Sequence, residues 1–403
     1  MDGGMVSDPP PPLSNLPADM LLEILKRLPA KTLMKSKCVS KYWLNLIRDS
    51  YFANSHFNHA QTHRSDASHL LFATVLNYWT HPIRTIYPAT NDDLSLSSQL
   101  PSHTFGQYFQ PCSNVVNGLV CVCLVEFYHQ SQHCIWVLNL TTTEKKPLPE
   151  PPSLKAFKTR YPHVNLYGTS RFYLGFDQIS NKYKLLHDML GACEVLTLGI
   201  NQTWRQVRGN PGVEDDLGLN RIRGGEGFIR QGYGHAGMAS INGRIYFRNL
   251  TERVIVFFDL KEEKFRQVAI PQSIEGISYK TGLVDLGGKL GVVVGLYEPV
   301  TQLRIWILED DHDHNNINNN NNWVEKRLTL PDVYYVETMG VTGNHKLILY
   351  CKHTSIRFTQ PSYFFYYDLK TLERITTTAI TMEPHRDPIL YNFVENIVPL
   401  DQI

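Results

Sequence analysis

The sequence predicts a mostly β protein: a small N-terminal unit of three helices, followed by a β-propeller-like domain of about six four-stranded repeats. An irregular β-sandwich is the competing arrangement. Three observations predict the propeller. Helical periodicity is confined to the first ~58 residues. From residue 68 onward, short runs rich in Val, Ile, Tyr and Phe alternate with Gly, Asn, Asp and Pro. Those runs recur as a two-part unit, which a sandwich does not account for.

Residues 1–12 end in Pro9–Pro12 and form an extended, flexible leader, because consecutive prolines cannot build helix interior. The first helix follows Pro17, whose missing N–H is not needed in an opening turn. At 100° per residue, Leu21, Leu22, Ile24, Leu25 and Leu28 fall within an arc of about 160°. Glu23, Lys26 and Arg27 take the other side, and Pro29 stops the helix. A second helix runs from Ala30 to about Cys38, with Leu33 and Met34 apolar. Ser40 can cap a third, in which Tyr42/Trp43, Leu46 and Ile47 recur at helical spacing. Three helices in so few residues bury too little surface to be robust alone. Their apolar stripe therefore needs a cover, either a partner groove or the following domain.

In the β region each unit opens with a Gly/Asn turn leading into an apolar strand: 117–124, 181–189, 242–247, 287–294 and 343–350. A second pair of strands follows, joined by a turn after an anchor leucine: 135–149, 194–207, 256–271, 305–331 and 364–380. The anchors Leu140, Leu198, Leu260, Leu308 and Leu369 are spaced by 58, 62, 48 and 61 residues. That is looser than the roughly 40–50 residues of a regular propeller blade and implies insertions. Residues 70–88 offer a degenerate sixth unit, and the last strand, 389–400, is a candidate to close the ring.

Composition narrows the partners. With 39 Lys+Arg against 38 Asp+Glu the net charge is +1, which removes the usual basis for binding nucleic acid or a membrane surface. No signal peptide or stretch of ~18 apolar residues is present, so the expected compartment is the cytoplasm and/or nucleus, with the seven cysteines reduced.

Residues 13–47, LSNLPADMLLEILKRLPAKTLMKSKCVSKYWLNLI, resemble an F-box across nearly the whole motif. The β region resembles the plant F-box-associated (kelch-like) interaction domain. The resemblance lies in NGLVC at 117–121, IWVLNLTTTEKKPLP at 135–149, GFDQISNKYK at 175–184 and FDLKEEKF at 258–265. It divides the chain into a leader (1–12), an F-box (13–58) and a substrate-binding domain (68–403). It implies a non-catalytic, substrate-recognition subunit of a Skp–cullin–F-box ubiquitin ligase. The F-box would dock a Skp-type adaptor, and through it cullin and a RING protein, while the β domain captures an unknown target. Carried over position by position, the adaptor contacts would be Leu16, Pro17, Leu21, Ile24, Leu25, Leu28, Pro29, Leu33, Cys38, Val39 and Trp43. Some of these must be internal core. Target contacts are expected on loops around 152–170, 209–236, 271–281 and 331–338. A ligase-independent scaffold and a carbohydrate-binding propeller are the alternatives.

Other motifs argue for no cofactor, metal or catalytic site. GYGHAG (232–237), with Asp259 downstream, spells a dinucleotide fingerprint, but a turn and strand follow where that site needs a helix. DDHDH (310–314) runs into an Asn-rich tract, a poor frame for metal. Cys112, Cys121, Cys123 and Cys134 lack zinc-ligand spacing, and the basic, glycine-rich 221–234 reads as an inter-blade loop.

Overall fold

The computed structural model describes residues 17–62, 68–73, 83–86, 109–111, 113–124, 135–160, 170–189, 192–199, 201–207, 238–249, 254–268, 270–271, 274, 281–294, 297–309, 323–341, 346–352, 362–380 and 389–403. The leader, Leu16, the 209–236 loop with GYGHAG, and DDHDH lie outside them.

The N-terminal unit contains α1 (Ala18–Leu25), α2 (Ala30–Ser36), α3 (Lys41–Arg48) and a fourth helix, α4 (Ser50–Thr62). The expected three helices are present. Ser40 caps α3, its Oγ accepting the Trp43 N–H at 3.3 Å. The additional α4 is the longest of the four. Its N-terminus is held by Asp49 Oδ1, which accepts the Phe52 N–H at 3.0 Å.

Among the described residues the strands form five antiparallel sheets. β3 (Phe109–Pro111), β4 (Leu119–Leu124), β5 (Ile135–Asn139) and β6 (Lys145–Leu148) make one four-stranded meander. After α5 (Pro152–Arg160) come β7 (Ser170–Asp177), β8 (Lys182–Met189), β9 (Ala192–Thr197) and β10 (Trp204–Gln206). The next sheet is β11 (Met238–Ile241), β12 (Arg244–Asn249), β13 (Val254–Asp259) and β14 (Lys264–Val268). A seven-stranded sheet follows: β15 (Thr281–Asp285), β16 (Leu290–Val294), β17 (Tyr297–Leu308), β18 (Trp323–Val341), β19 (Lys346–Lys352), β20 (Ser362–Asp368) and β21 (Arg374–Ile380). It is two repeats fused through β18, which pairs with β17 up to Tyr335 and with β19 from Tyr335 onward. The expected loop at 331–338 is therefore strand. Pro331, which lacks a ladder N–H, sits at an irregularity in the β17–β18 pairing, between Thr329 and Val333.

The ring is closed by the first and last strands of the β domain. β22 (Ile389–Val394) pairs antiparallel with β1 (Ser68–Ala73), which pairs with β2 (Ile83–Ile86). Neighbouring sheets then meet in circular order: β2 beside β3, β4 beside β7, β7 beside β11 and β12, β11 beside β15, and β18 beside β22.

Apolar clusters sit between successive sheets. Leu185 packs toward β3–β6 with Leu119, Val137 and Leu174, whereas Leu186 packs toward β11–β14 with Ile245, Val256 and Phe258. Ile255 and Val256 divide likewise, as do Val292 and Val293. Successive side chains on a strand point to opposite faces, so a strand buried on both sides reads as a continuous apolar run. A two-sheet sandwich would leave one face of each sheet in water.

Two local devices build the repeats. Asn117–Gly118 (φ 50° and 77°) and Asn242–Gly243 (φ 46° and 77°) have paired positive φ, as a two-residue hairpin of matching twist requires. Side-chain carboxylates or amides at strand ends accept two N–H groups of the following turn: Asn139 from Thr141 and Thr142, Asp259 from Lys261 and Glu262, Asp368 from Lys370 and Thr371.

Candidate functional site

These short turns lie at one end of the ring. Asn242 Nδ2 donates to Gly288 O at 2.8 Å, linking the turns of successive sheets. Lys184 reaches from β8 to the Leu260 carbonyl and to Glu263 Oε1, 2.9 Å away, in the next sheet's turn. In an antiparallel meander the connections after the second and fourth strands emerge at the opposite end. The segment carrying α5 is one of them.

The N-terminal helices sit on the short-turn end, against the C-terminal residues 395–403. Leu21, Leu25, Leu33, Ile47, Phe52 and Phe57 share one core with Val394, Ile397 and Val398. Glu395 Oε2 accepts the Ala30 N–H at 2.7 Å, standing in for a cap at α2, where Pro29 offers no side-chain bond. His56 Nε2 lies 3.0 Å from Leu28 O, to which it donates.

That packing sorts the expected adaptor contacts. Pro17, Ile24, Pro29, Cys38 and Val39 are exposed, and Leu28 and Trp43 are half-buried. Leu21, Leu25 and Leu33 are 8, 5 and 0% exposed, so their side chains are committed to the internal core instead of a contact surface. A substitution such as Leu25→Asp would act through folding. The sequence reading missed three exposed apolar side chains: Met20, at 56%, Tyr42, at 58%, and Tyr51, at 75%. Met20 was detectable, since Pro17, Met20 and Ile24 share one helix face by their three- and four-residue spacing. Tyr42 meets Trp43 edge to face at 6.0 Å.

The opposite end carries a buried polar group. His187 is fully buried, stacked on Phe172 at 4.5 Å. Its Nε2 lies 2.9 Å from Ser170 Oγ and its Nδ1 3.4 Å from Glu194 Oε2. The order of groups resembles a Ser–His–Glu triad. Glu194, however, uses both oxygens on Ser153, accepting its N–H at 3.0 Å and its hydroxyl at 2.8 Å. What the geometry achieves is a cap that docks α5 on the third sheet of the ring. Burial pushes His187 below its ordinary pKa, outweighing the pull of Glu194. Burial raises Glu194, but hydrogen bonds from His187 and Ser153 bring it below the ordinary carboxylate value.

Among the described residues, no group of three or more His, Cys, Asp or Glu could hold a metal ion, and no helix is long and apolar enough to cross a membrane.

Comparison with known families decides what the helices and ring are. Residues 13–54 match the F-box domain and residues 83–397 match the F-box associated beta propeller domain. The chain belongs to the F-box proteins with an associated propeller. Relatives from Arabidopsis thaliana align along most of both chains. F-box protein DOR is 26% identical, covering 95% of this chain and 93% of its own. Putative F-box protein At1g53550 is 27% identical, covering 94% and 87%. Among solved structures, one of the nidogen/laminin complex aligns with a TM-score of 0.41 and 14% identity, over 83% of this chain and 100% of that one.

The family motifs acquire physical roles here. In NGLVC, Asn117 O accepts from Asn396 Nδ2 at 2.8 Å, and Gly118 passes close under Val394 and Asn396. In the 135–149 motif, Asn139, Thr141 and Glu144 all bond the C-terminal tail. The other two motifs meet through Lys184, Leu260 and Glu263.

Proposed function

We propose that this F-box protein is the non-catalytic, substrate-recognition subunit of a Skp–cullin–F-box ubiquitin ligase. Its F-box docks a Skp-type adaptor, and the propeller holds a target protein so that ubiquitin transfer occurs by proximity. The observation that carries this reading is the apolar row on the F-box. Met20, Ile24, Val39 and Tyr42 face solvent, although a buried core lies directly beneath them. Exposed apolar side chains on a small helical unit fit a partner's groove. The target side of the reading assigns capture to the end opposite the F-box, where the longer connections emerge, α5 among them.

Affinity purification of the tagged full chain tests the proposal. Recovery of adaptor, cullin and RING protein in stoichiometric amounts is the expected outcome. A chain that purifies free of all three, under conditions where a known F-box protein retains them, would refute it.

A further inference from the structure

An F-box that merely tethered its propeller would need only the covalent link after Thr62. Here a second connection exists. Residues 395–403 leave β22 and run between the F-box and the short-turn end of the ring, bonding to both. Toward the F-box, Glu395 caps α2, Gln402 Nε2 donates to Arg48 O at 2.9 Å, and Arg48 pairs with Asp401 at 3.1 Å. Ile397 and Val398, 0 and 7% exposed, complete the F-box core. Toward the propeller, the Asn396 N–H donates to Thr141 Oγ1 at 2.9 Å and its carbonyl accepts from Asn139. The Leu400 N–H donates to Glu144 Oε2 at 3.0 Å, and the Leu400 side chain enters the core between the sheets of β3–β6 and β7–β10.

We infer that this segment is a strap that fixes the orientation of the F-box on the propeller, with Glu395 as its positioning residue. Two modules joined by a single linker move relative to one another unless an apolar interface stops them. The strap supplies that interface, and the buried Glu395 carboxylate sets its register by meeting one particular backbone N–H of α2. Given the ligase role proposed above, the strap holds adaptor and target at a constant separation. Glu395→Ala keeps adaptor affinity and loses fixed geometry.

The test is a pulsed electron–electron distance measurement on the full chain. One nitroxide is carried by the exposed Cys38 and another by Ile179→Cys, which lies 73% exposed in the short turn after β7. Cys112, Cys123 and Cys134 are replaced by Ser. The unsubstituted strap should give one narrow distance peak, and Glu395→Gln, which still accepts the Ala30 N–H, should keep it. Glu395→Ala should broaden the peak about twofold, and deletion of 395–403 should broaden it further. A deletion variant with the narrow peak, or a broad peak with the strap intact, overturns the inference. A narrow peak in Glu395→Ala alone overturns the assignment to Glu395. Adaptor binding by the corresponding unlabelled chains, with Cys38 unmodified, separates the two readings. Its absence with the strap intact would sink the ligase role and leave the strap standing, whereas undiminished binding beside unchanged peaks would sink only the strap.

Discussion

Asn139 and Asn396 lie 257 positions apart in sequence, yet the Asn139 amide donates to the Asn396 carbonyl at 2.9 Å and also to Val398 O at 3.2 Å. Its Oδ1 meanwhile accepts the N–H groups of Thr141 and Thr142. One fully buried side chain thus shapes a local turn and anchors the chain terminus. Asn139→Asp keeps the turn but sets a carboxylate against two carbonyls. Its expected cost is about 3 kcal/mol, since a buried group that loses its partners bears its full desolvation penalty. Urea denaturation should place Asn139→Ala below that, and an Asp variant as stable as wild type would contradict the assignment.

Lys184 ties the second and third four-stranded sheets of the ring. Its ammonium is buried and meets Leu260 O, Glu263 Oε1 at 2.9 Å and Asp177 Oδ2 at 3.5 Å. Lys184→Met leaves those acceptors without their cation and should cost about 3–5 kcal/mol. Adding Glu263→Met should recover at least about 1 kcal/mol in a double-mutant cycle, because the two groups act as one unit. Strictly additive losses would show the link to be inert.

Two glycines with the same φ of 77° separate backbone strain from crowding. A Cβ on Gly118 would lie 2.9 Å from Val394 O, whereas one on Gly243 would meet nothing nearer than Phe176 O at 3.9 Å. Gly243→Ala should therefore cost about 1 kcal/mol, the penalty of a left-handed non-glycine residue. Gly118→Ala should cost about twice that or more, and should speed amide exchange in the strap. Equal costs would mean the strap does not press on this turn.

Acid should destabilise the protein in two steps. Burial holds His56 and His187 below their ordinary value of 6.5. The folded state therefore binds fewer protons than the unfolded chain in that window. The contribution is complete above about pH 6.5 and is lost as pH falls from there toward the folded pKa values. Burial raises Glu194 and Glu263, but hydrogen bonds from His187 and Ser153, and from Arg205 and Lys184, bring both below 4.5. Their contribution is complete above 4.5 and is lost as pH falls further. Melting temperature should be flat from about pH 7 to 8, decline below ~6.5 and decline again below ~4.5. His56→Gln should diminish only the upper step; a midpoint that rises on acidification would contradict both assignments.

What the sequence made legible was what short range dictates. Paired positive-φ Asn–Gly turns and strand-end Asn or Asp residues are local signals, so the repeats could be read before any long-range contact was known. The same holds for α1–α3, where leucines mark the buried face. Helix α4 escaped because its buried side is Phe52, Ala53, His56, Phe57 and Ala60, in which alanine and histidine blur the apolar period. The loop expected at 331–338 is strand, and its opening Pro331 is tolerated because the β17–β18 ladder is irregular between Thr329 and Val333. The strap reads in sequence as the second half of a closing strand 389–400, whereas β22 stops at Val394. Glu395 and Asn396 are ordinary polar residues until the ring closes and brings them to Ala30 and Asn139, hundreds of positions away.

The claim that matters most is that the exposed face of α1 docks an adaptor. Titration calorimetry of the full chain with a recombinant Skp-type adaptor measures it directly. The expected result is saturable one-to-one binding, with a loss of at least about tenfold in affinity for Met20→Asp/Ile24→Asp and the melting temperature unchanged, since both side chains are exposed. A wild-type chain that gives no binding heat, or a double variant that binds as tightly as wild type, would contradict it.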